Sequence, residues 1–133
     1  MTVLEVRTRG REEVSDITAD VAAAVARSGV KDGLCLVSVP HTTAGVTINE
    51  NADPDVKTDI LSALKHVVPA SLPFRHGEGN SDAHVKASLV GSSATLIVEE
   101  GKLRLGTWQG VCFCEFDGPR RRQVWVKVWG EKG

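Results

Sequence analysis

The chain has 133 residues, of which 41% are hydrophobic and 25% charged. These are ordinary fractions for a soluble globular domain, at a length that suits one domain burying roughly two thirds of its unfolded surface. Lys and Arg total 16 against 17 Asp and Glu, a net charge of -1, so nothing points to a nucleic-acid coat or an anionic membrane as partner. No apolar run approaches the ~20 residues of a membrane-spanning helix. Met1–Arg11 lacks the apolar core and cleavage site of a signal peptide. The expectation is a cytoplasmic, single-domain protein over residues 1–133 that needs neither disulfides nor structural zinc to fold.

Thr2–Arg9 alternates apolar and polar residues and predicts a strand. Ser15 or Asp16 can cap the helix that follows, with Ile17, Val21, Ala24 and Val25 on one stripe and Gly29 in the place of a left-handed C-terminal cap. Gly33–Val39 reads as a buried strand stopped by Pro40. Asp53-Pro54 opens a second helix, carrying Val56, Ile60, Leu61 and Leu64 and ending before Pro69. Pro73–Ala83 is a polar, glycine-containing connection, followed by a short apolar stretch to Val90. Ala94–Glu99 and Lys102–Leu105 form a hairpin through Glu100-Gly101. Thr107–Phe116 and Gln123–Trp129 are further strands, the last with Val124, Val126 and Val128 opposite Trp125, Lys127 and Trp129. Two main helices and a terminal run of four strands give an α+β order, not a doubly wound one.

Cys35, Cys112 and Cys114 are an odd set without an export signal, which argues against a disulfide framework. Cys112 and Cys114 share one face of a strand. They are read as core residues in preference to thiolate ligands or a redox pair, since no second Cys/His pair stands at zinc spacing.

Ligand-type residues concentrate in four places. His41-Thr42-Thr43-Ala44-Gly45 follows a buried strand, where functional loops are common. Thr47–Asn51 holds Asn49, Glu50 and Asn51 beside a helix start, and is either functional or a capping and turn cluster. His76–His84 packs two imidazoles, Glu78 and Asp82 into nine residues with Gly77 and Gly79. Such donors suit zinc, manganese or iron, and carboxylates with water suit magnesium; the alternative is a solvated loop. Asp82 and His84 can converge only if this segment is not a regular helix. Arg120-Arg121-Arg122 follow a Gly-Pro turn and present forked donors to a phosphate or carboxylate, or form a solvated hairpin tip. Thr107-Trp108-Gln109 adds an indole and an amide that can line a pocket for a flat heterocycle.

Taken together, His41-Thr42-Thr43-Ala44, Ile48-Asn49-Glu50-Asn51, His76 to Glu78-Gly79-Asn80 and Asp82-Ala83-His84, Gly106-Thr107-Trp108-Gln109 and Gly118-Pro119-Arg120 closely resemble the YjbQ family over nearly the whole chain. The resemblance implies a compact α+β fold with a mostly antiparallel, barrel-like sheet, assembled as a homotrimer. For some members it implies a secondary thiamine-phosphate synthase activity, in which a hydroxymethylpyrimidine diphosphate is joined to a thiazole phosphate and pyrophosphate leaves. That reaction asks for charge neutralisation on the leaving group more than for a nucleophile. A divalent metal (Mg, Zn or Mn) on His76, Asp82 and His84, with His41, would supply it, helped by Arg120 and the backbone at Gly77. Thr42, Asn80 and Thr107 would add substrate contacts, Trp108 would stack the pyrimidine, Gln109 or Asn49 would read its nitrogens, and Glu50, Asp82 and His84 would move protons. The alternatives are metal-assisted hydrolysis of a phosphorylated or acylated small molecule, with Glu50 or Asp82 as base, and a non-catalytic anion-binding trimer.

Overall fold

Alternation makes Thr2–Arg7 a strand (β1) whose Leu4 and Val6 pack against the core while Val3, Glu5 and Arg7 face outward. The computed structural model describes residues 1–133. After β1 come β2 (Glu13–Asp16), α1 (Thr18–Ser28), β3 (Val30–Ser38), β4 (Ala44–Glu50), α2 (Pro54–Val67), α3 (Ser81–Val90), β5 (Ser93–Glu99), β6 (Lys102–Arg104), β7 (Gln109–Glu115) and β8 (Arg121–Lys132). The strands form two antiparallel sheets, ordered β1-β8-β3-β5-β6 and β2-β7-β4. Together they make a curled half-barrel. No helix is long and apolar enough to cross a membrane.

Both sheets and α1 contribute to one core, in which Val21, Val25, Val37, Val98, Val111, Phe113 and Val126 are essentially fully buried. Each such side chain contributes roughly 1.5–3 kcal/mol by leaving water. Gly29 ends α1 at φ 73°, the left-handed cap its position predicts. α1 starts after Ile17 instead of Asp16, yet Asp16 Oδ1 still accepts from Thr18 N at 2.9 Å, so the carboxylate caps the first turn. Asp53 caps α2 by accepting from Asp55 N at 2.9 Å, with Pro54 in the first turn. The β5–β6 turn uses Glu100 (φ 52°) and Gly101 (φ 77°), the positive-φ pair that matches the twist of a two-residue hairpin.

The half-barrel has a second, smaller core on the outer face of the β2-β7-β4 sheet. β7 is buried on both faces: Val111 and Phe113 enter the main core, while Cys114, with Phe116 just beyond the strand, packs against Ala83 and Ala87 of α3 and Leu61 and Leu64 of α2. Burial pushes the Cys114 thiol up to about 12 and raises that of Cys112 as well. Both cysteines are therefore protonated core groups.

α3 is a correction to the two-helix expectation. The sequence predicts the end of a connection and a short apolar stretch over residues 81–90, and Ser81–Val90 forms a regular helix instead. Its buried face carries Asp82, Ala83, Lys86 and Ala87. Two of those four inward positions are charged, so the apolar period that marks a helix is missing from the sequence.

Candidate functional site

Three loops and one helix bring the ligand-type side chains to one end of the β2-β7-β4 sheet. His41, Thr42 and Thr43 lie on the β3–β4 loop, which is pinned by Val39 N donating to Ser92 O at 2.7 Å and Phe116 N donating to Thr43 O at 3.1 Å. His76, Glu78 and Asn80 lie on the loop before α3, His84 lies on α3, and Asp117 and Arg120 lie on the β7–β8 turn. These residues, with Pro40 and Arg122, line a polar compartment of about 430 Å³. Past His41, Thr42 and His84 it adjoins a compartment of about 500 Å³ lined also by Ala44, Ala87, Ser88, Gly91 and Ser92. His41 also borders a third recess, of about 410 Å³, beside Val3, Glu5, Arg121 and Gln123.

The floor of this groove is a buried ion pair. Arg122 donates from Nε to Glu115 Oε1 at 2.8 Å and from Nη2 to Glu115 Oε2, and its Nη2 also donates to Thr43 Oγ1 at 2.8 Å. Thr8 Oγ1 and Asp117 N donate to the same carboxylate at 2.8 and 3.0 Å. Burial alone would raise the Glu115 carboxyl; the hydrogen bonds from Arg122, Asp117 and Thr8 outweigh it and hold the group below the usual carboxylate range. Glu115 was missed from sequence. Its only signal is a carboxylate at an otherwise apolar strand's end (Val111–Phe116).

His41 accepts from Gln123 N at its Nε2, at 2.9 Å. Burial and the nearby Arg122 charge hold its pKa below the ordinary histidine value, against the opposing pull of Glu115. His76 and His84 meet edge to face with ring centroids 5.4 Å apart, and His76 Nε2 lies 3.8 Å from Glu78 Oε2. Arg120 donates from Nε to the Asp117 carbonyl at 2.8 Å and from Nη2 to Asp117 Oδ2 at 3.0 Å, and is 54% exposed. Asn80 donates to Asp117 Oδ2 at 2.8 Å. Arg121 turns to the outer face, 3.5 Å from Glu5.

The four-residue metal set is not assembled. Asp82 points away from the histidines and is essentially fully buried; it accepts from Arg11 at 3.0 and 3.2 Å and from Lys86 at 3.1 Å. Burial would raise this carboxyl, but the Arg11 and Lys86 hydrogen bonds hold it below the usual range. An anchored carboxylate between two cations is neither a spare ligand nor a base. No group of three or more His, Cys, Asp or Glu side chains stands in a metal-holding arrangement. Within one chain, Asp82 is therefore separated from His76, His84 and Glu78, the other ligand-type side chains of this loop and helix.

The remaining residues sit elsewhere. The β4–β7 register pairs Ala44 with Glu115 at the groove, and Asn49 with Gly110 and Glu50 with Gln109 at the opposite end. Six residue steps along β4 separate Ala44 from Glu50, roughly 20 Å. At that end Glu50 accepts from Ala52 N at 3.0 Å, Gln109 accepts from Gly106 N at 2.8 Å, and Asn51 bridges Asp16 and Lys57 at 2.9 Å each. Thr107 and Trp108 precede β7, and Trp108 is 64% exposed. Within one chain, Asn49, Glu50, Thr107, Trp108 and Gln109 do not reach the histidines. Gly77 lies in the His76 loop but does not line the groove.

Comparison with known proteins finds relatives that match nearly all of the chain. The family described as "UPF0047 protein YjbQ-like" matches residues 2–131. The UPF0047 protein MJ1081 of Methanocaldococcus jannaschii is 57% identical across 96% of this chain and 93% of its own, and UPF0047 protein YugU of Bacillus subtilis is 51% identical across 98% and 99%. A crystal structure of a YjbQ/UPF0047 protein from Clostridium acetobutylicum superposes with a TM-score of 0.95 at 55% identity, covering 97% of this chain and all of that one. A Sulfolobus solfataricus protein described as YbjQ-like and of unknown function superposes at 0.94 with 37% identity, covering 98% and 96%. The chain belongs to the UPF0047/YjbQ family.

Proposed function

We propose that the groove around His41 binds a small phosphorylated molecule and carries a pyrophosphate-releasing transfer of the thiamine-phosphate synthase type. The observation that carries this reading is that His41, Thr42 and His84 are shared by two adjoining compartments, one with an almost wholly polar lining. A ligand spanning them would place its reacting bond at the histidines. The polar compartment would hold the phosphoryl end, with Arg120 and Thr42 as donors, and the Ala44, Ala87 and Gly91 side would take the organic part. None of the groove's hydroxyls is hydrogen-bonded to a histidine side chain, so within one chain no hydroxyl and imidazole are paired as nucleophile and base. Displacement of a good leaving group needs no such pair.

The hydrolase alternative draws less support. Both bases it named are removed from the groove, Asp82 by its ion pairs and Glu50 by distance. The transfer reading also sets a requirement: if Trp108 and Gln109 hold the pyrimidine, they come from a neighbouring copy, as a homotrimer would allow. The deciding experiment incubates the protein with hydroxymethylpyrimidine diphosphate, with and without thiazole phosphate, and measures pyrophosphate and orthophosphate. Release of pyrophosphate only with the acceptor supports transfer. Orthophosphate without acceptor favours hydrolysis, and a thermal shift without turnover leaves a binding protein.

A further inference from the structure

The groove's central histidine is held by a backbone amide, and the polarity of that contact determines what the ring can do. Gln123 N–H donates to His41 Nε2. A neutral imidazole has one proton for two nitrogens, so the nitrogen that accepts leaves the proton on the other. His41 Nδ1 therefore carries the N–H. It makes no hydrogen bond within the chain, and the one buried side-chain N or O without a partner is Asn80 Oδ1, so His41 Nδ1–H is not sealed off from solvent; the ring lines both compartments of the groove and the recess beside Gln123. The groups facing the ring are Arg122, Glu115 and Arg120, with His84 across the groove. The Arg122 guanidinium, locked by Glu115 and Thr43, opposes a second proton on the imidazole.

We propose that His41 is a fixed, neutral hydrogen-bond donor that presents Nδ1–H to a phosphoryl oxygen of the bound ligand, and is neither a metal ligand nor a general base. A histidine that ligates a metal uses one nitrogen's lone pair and donates the other N–H to a carbonyl or carboxylate. His41 has the opposite polarity: its anchored nitrogen accepts, and its free nitrogen has no lone pair to give. A donor fixed in this way meets negative charge developing on a phosphoryl oxygen without reorganising. The identity of the oxygen depends on the phosphorylated-ligand reading above; the donor state depends on the Gln123 contact alone.

Two substitutions separate the two nitrogens. Asn places an amide N–H near the Nδ1 position, whereas Gln places a carbonyl oxygen near Nε2, where Gln123 N–H can still donate. With inorganic pyrophosphate as the probe, His41→Asn is expected to bind within about threefold of the unmodified protein. His41→Gln is expected to bind about tenfold more weakly or worse, the loss of one charge-assisted hydrogen bond. Equal losses, or the reverse order, overturn the proposal. Long-range ¹H–¹⁵N correlation of the ligand-free protein at pH 7 reads the tautomer directly. An Nδ1–H pattern for His41 is expected, and an Nε2–H or doubly protonated ring overturns the proposal whatever the ligand does. If the unmodified protein binds no pyrophosphate while the Nδ1–H pattern is present, the phosphorylated-ligand reading fails and the phosphoryl partner of His41 fails with it. The donor assignment then stands on the spectrum.

Discussion

Asp82 and His84 stand two residues apart on α3 and face opposite ways: the carboxylate lies buried on Arg11 and Lys86, the imidazole lines the groove. A separation of two on a helix turns side chains through about 200°, so one face anchors the helix while the other presents the histidine. Asp82→Asn therefore acts on stability. It leaves the Lys86 ammonium, 1% exposed, with only Glu12 at 3.1 Å to balance it. Breaking a buried pair by removing one partner costs about 3–5 kcal/mol. The urea midpoint is expected to fall accordingly, with no change in bound divalent metal. An unchanged midpoint accompanied by lost metal would restore Asp82 to the ligand set.

The same carboxylates give the fold an acid limit. Asp82 and Glu115 are both held below their ordinary values of 3.8 and 4.5. The folded chain then binds fewer protons than the unfolded one as pH falls, and stability drops with pH. Their contribution is complete above those ordinary values and is lost as pH passes down through the lower folded-state values. Melting temperature is expected to be level with respect to these two groups above about pH 5.5 and to fall steeply below pH 4. Glu115→Gln should lower the plateau and flatten the acid limb. An acid limb as steep in that variant as in the parent would assign it to other groups.

How much of this was legible in the sequence depended on whether burial and polarity agreed. Val124, Val126 and Val128 alternate with Trp125, Lys127 and Trp129, and β8 follows from them. Asp53-Pro54 sets the start of α2 by capping alone. α3 was hidden because Asp82 and Lys86 occupy its buried face, and charges there erase the apolar stripe. The histidines at 41, 76 and 84 were readable as ligand types, and the fold does gather them. Asn49, Glu50, Trp108 and Gln109 were equally readable as ligand types, but pairing of Glu50 with Gln109 puts them at the far end of β4 and β7. No local spacing reports which end of an antiparallel ladder a residue occupies. Glu115 belongs to the site through Arg122, seven positions away and on the next strand, a contact that only the fold creates.

If the proposed transfer takes place in this groove, His84 and Arg120 should separate kinetically. His84 lines both compartments, where its imidazole can donate a proton to the departing pyrophosphate; His84→Ala is expected to lower pyrophosphate release by about 10²–10⁴. Arg120 is solvent-exposed and already paired with Asp117. Arg120→Ala is expected to raise KM for the diphosphate several-fold, with kcat within about threefold. Its exposed side chain contributes little to folding, so the urea midpoint should move by less than about 0.5 kcal/mol. An Arg120→Ala variant with normal KM would remove this residue from substrate binding.

The separation of Trp108 from the histidines yields a test that no single-chain site can pass. If a neighbouring copy supplies Trp108, then His84→Ala and Trp108→Ala each inactivate the assembly while damaging different halves of one site. Mixed by unfolding and refolding together, a site is intact where a Trp108→Ala chain supplies the histidine and an adjacent His84→Ala chain supplies the tryptophan. Random assembly of a cyclic trimer makes that combination at about a quarter of the sites. The mixture should regain about a quarter of the unmodified activity, and sedimentation should show three chains. Two inactive components whose mixture stays inactive would overturn the shared site, and a Trp108→Ala protein that keeps its activity would remove Trp108 from it. A monomer in sedimentation would do the same and would leave the exposed indole without a catalytic role.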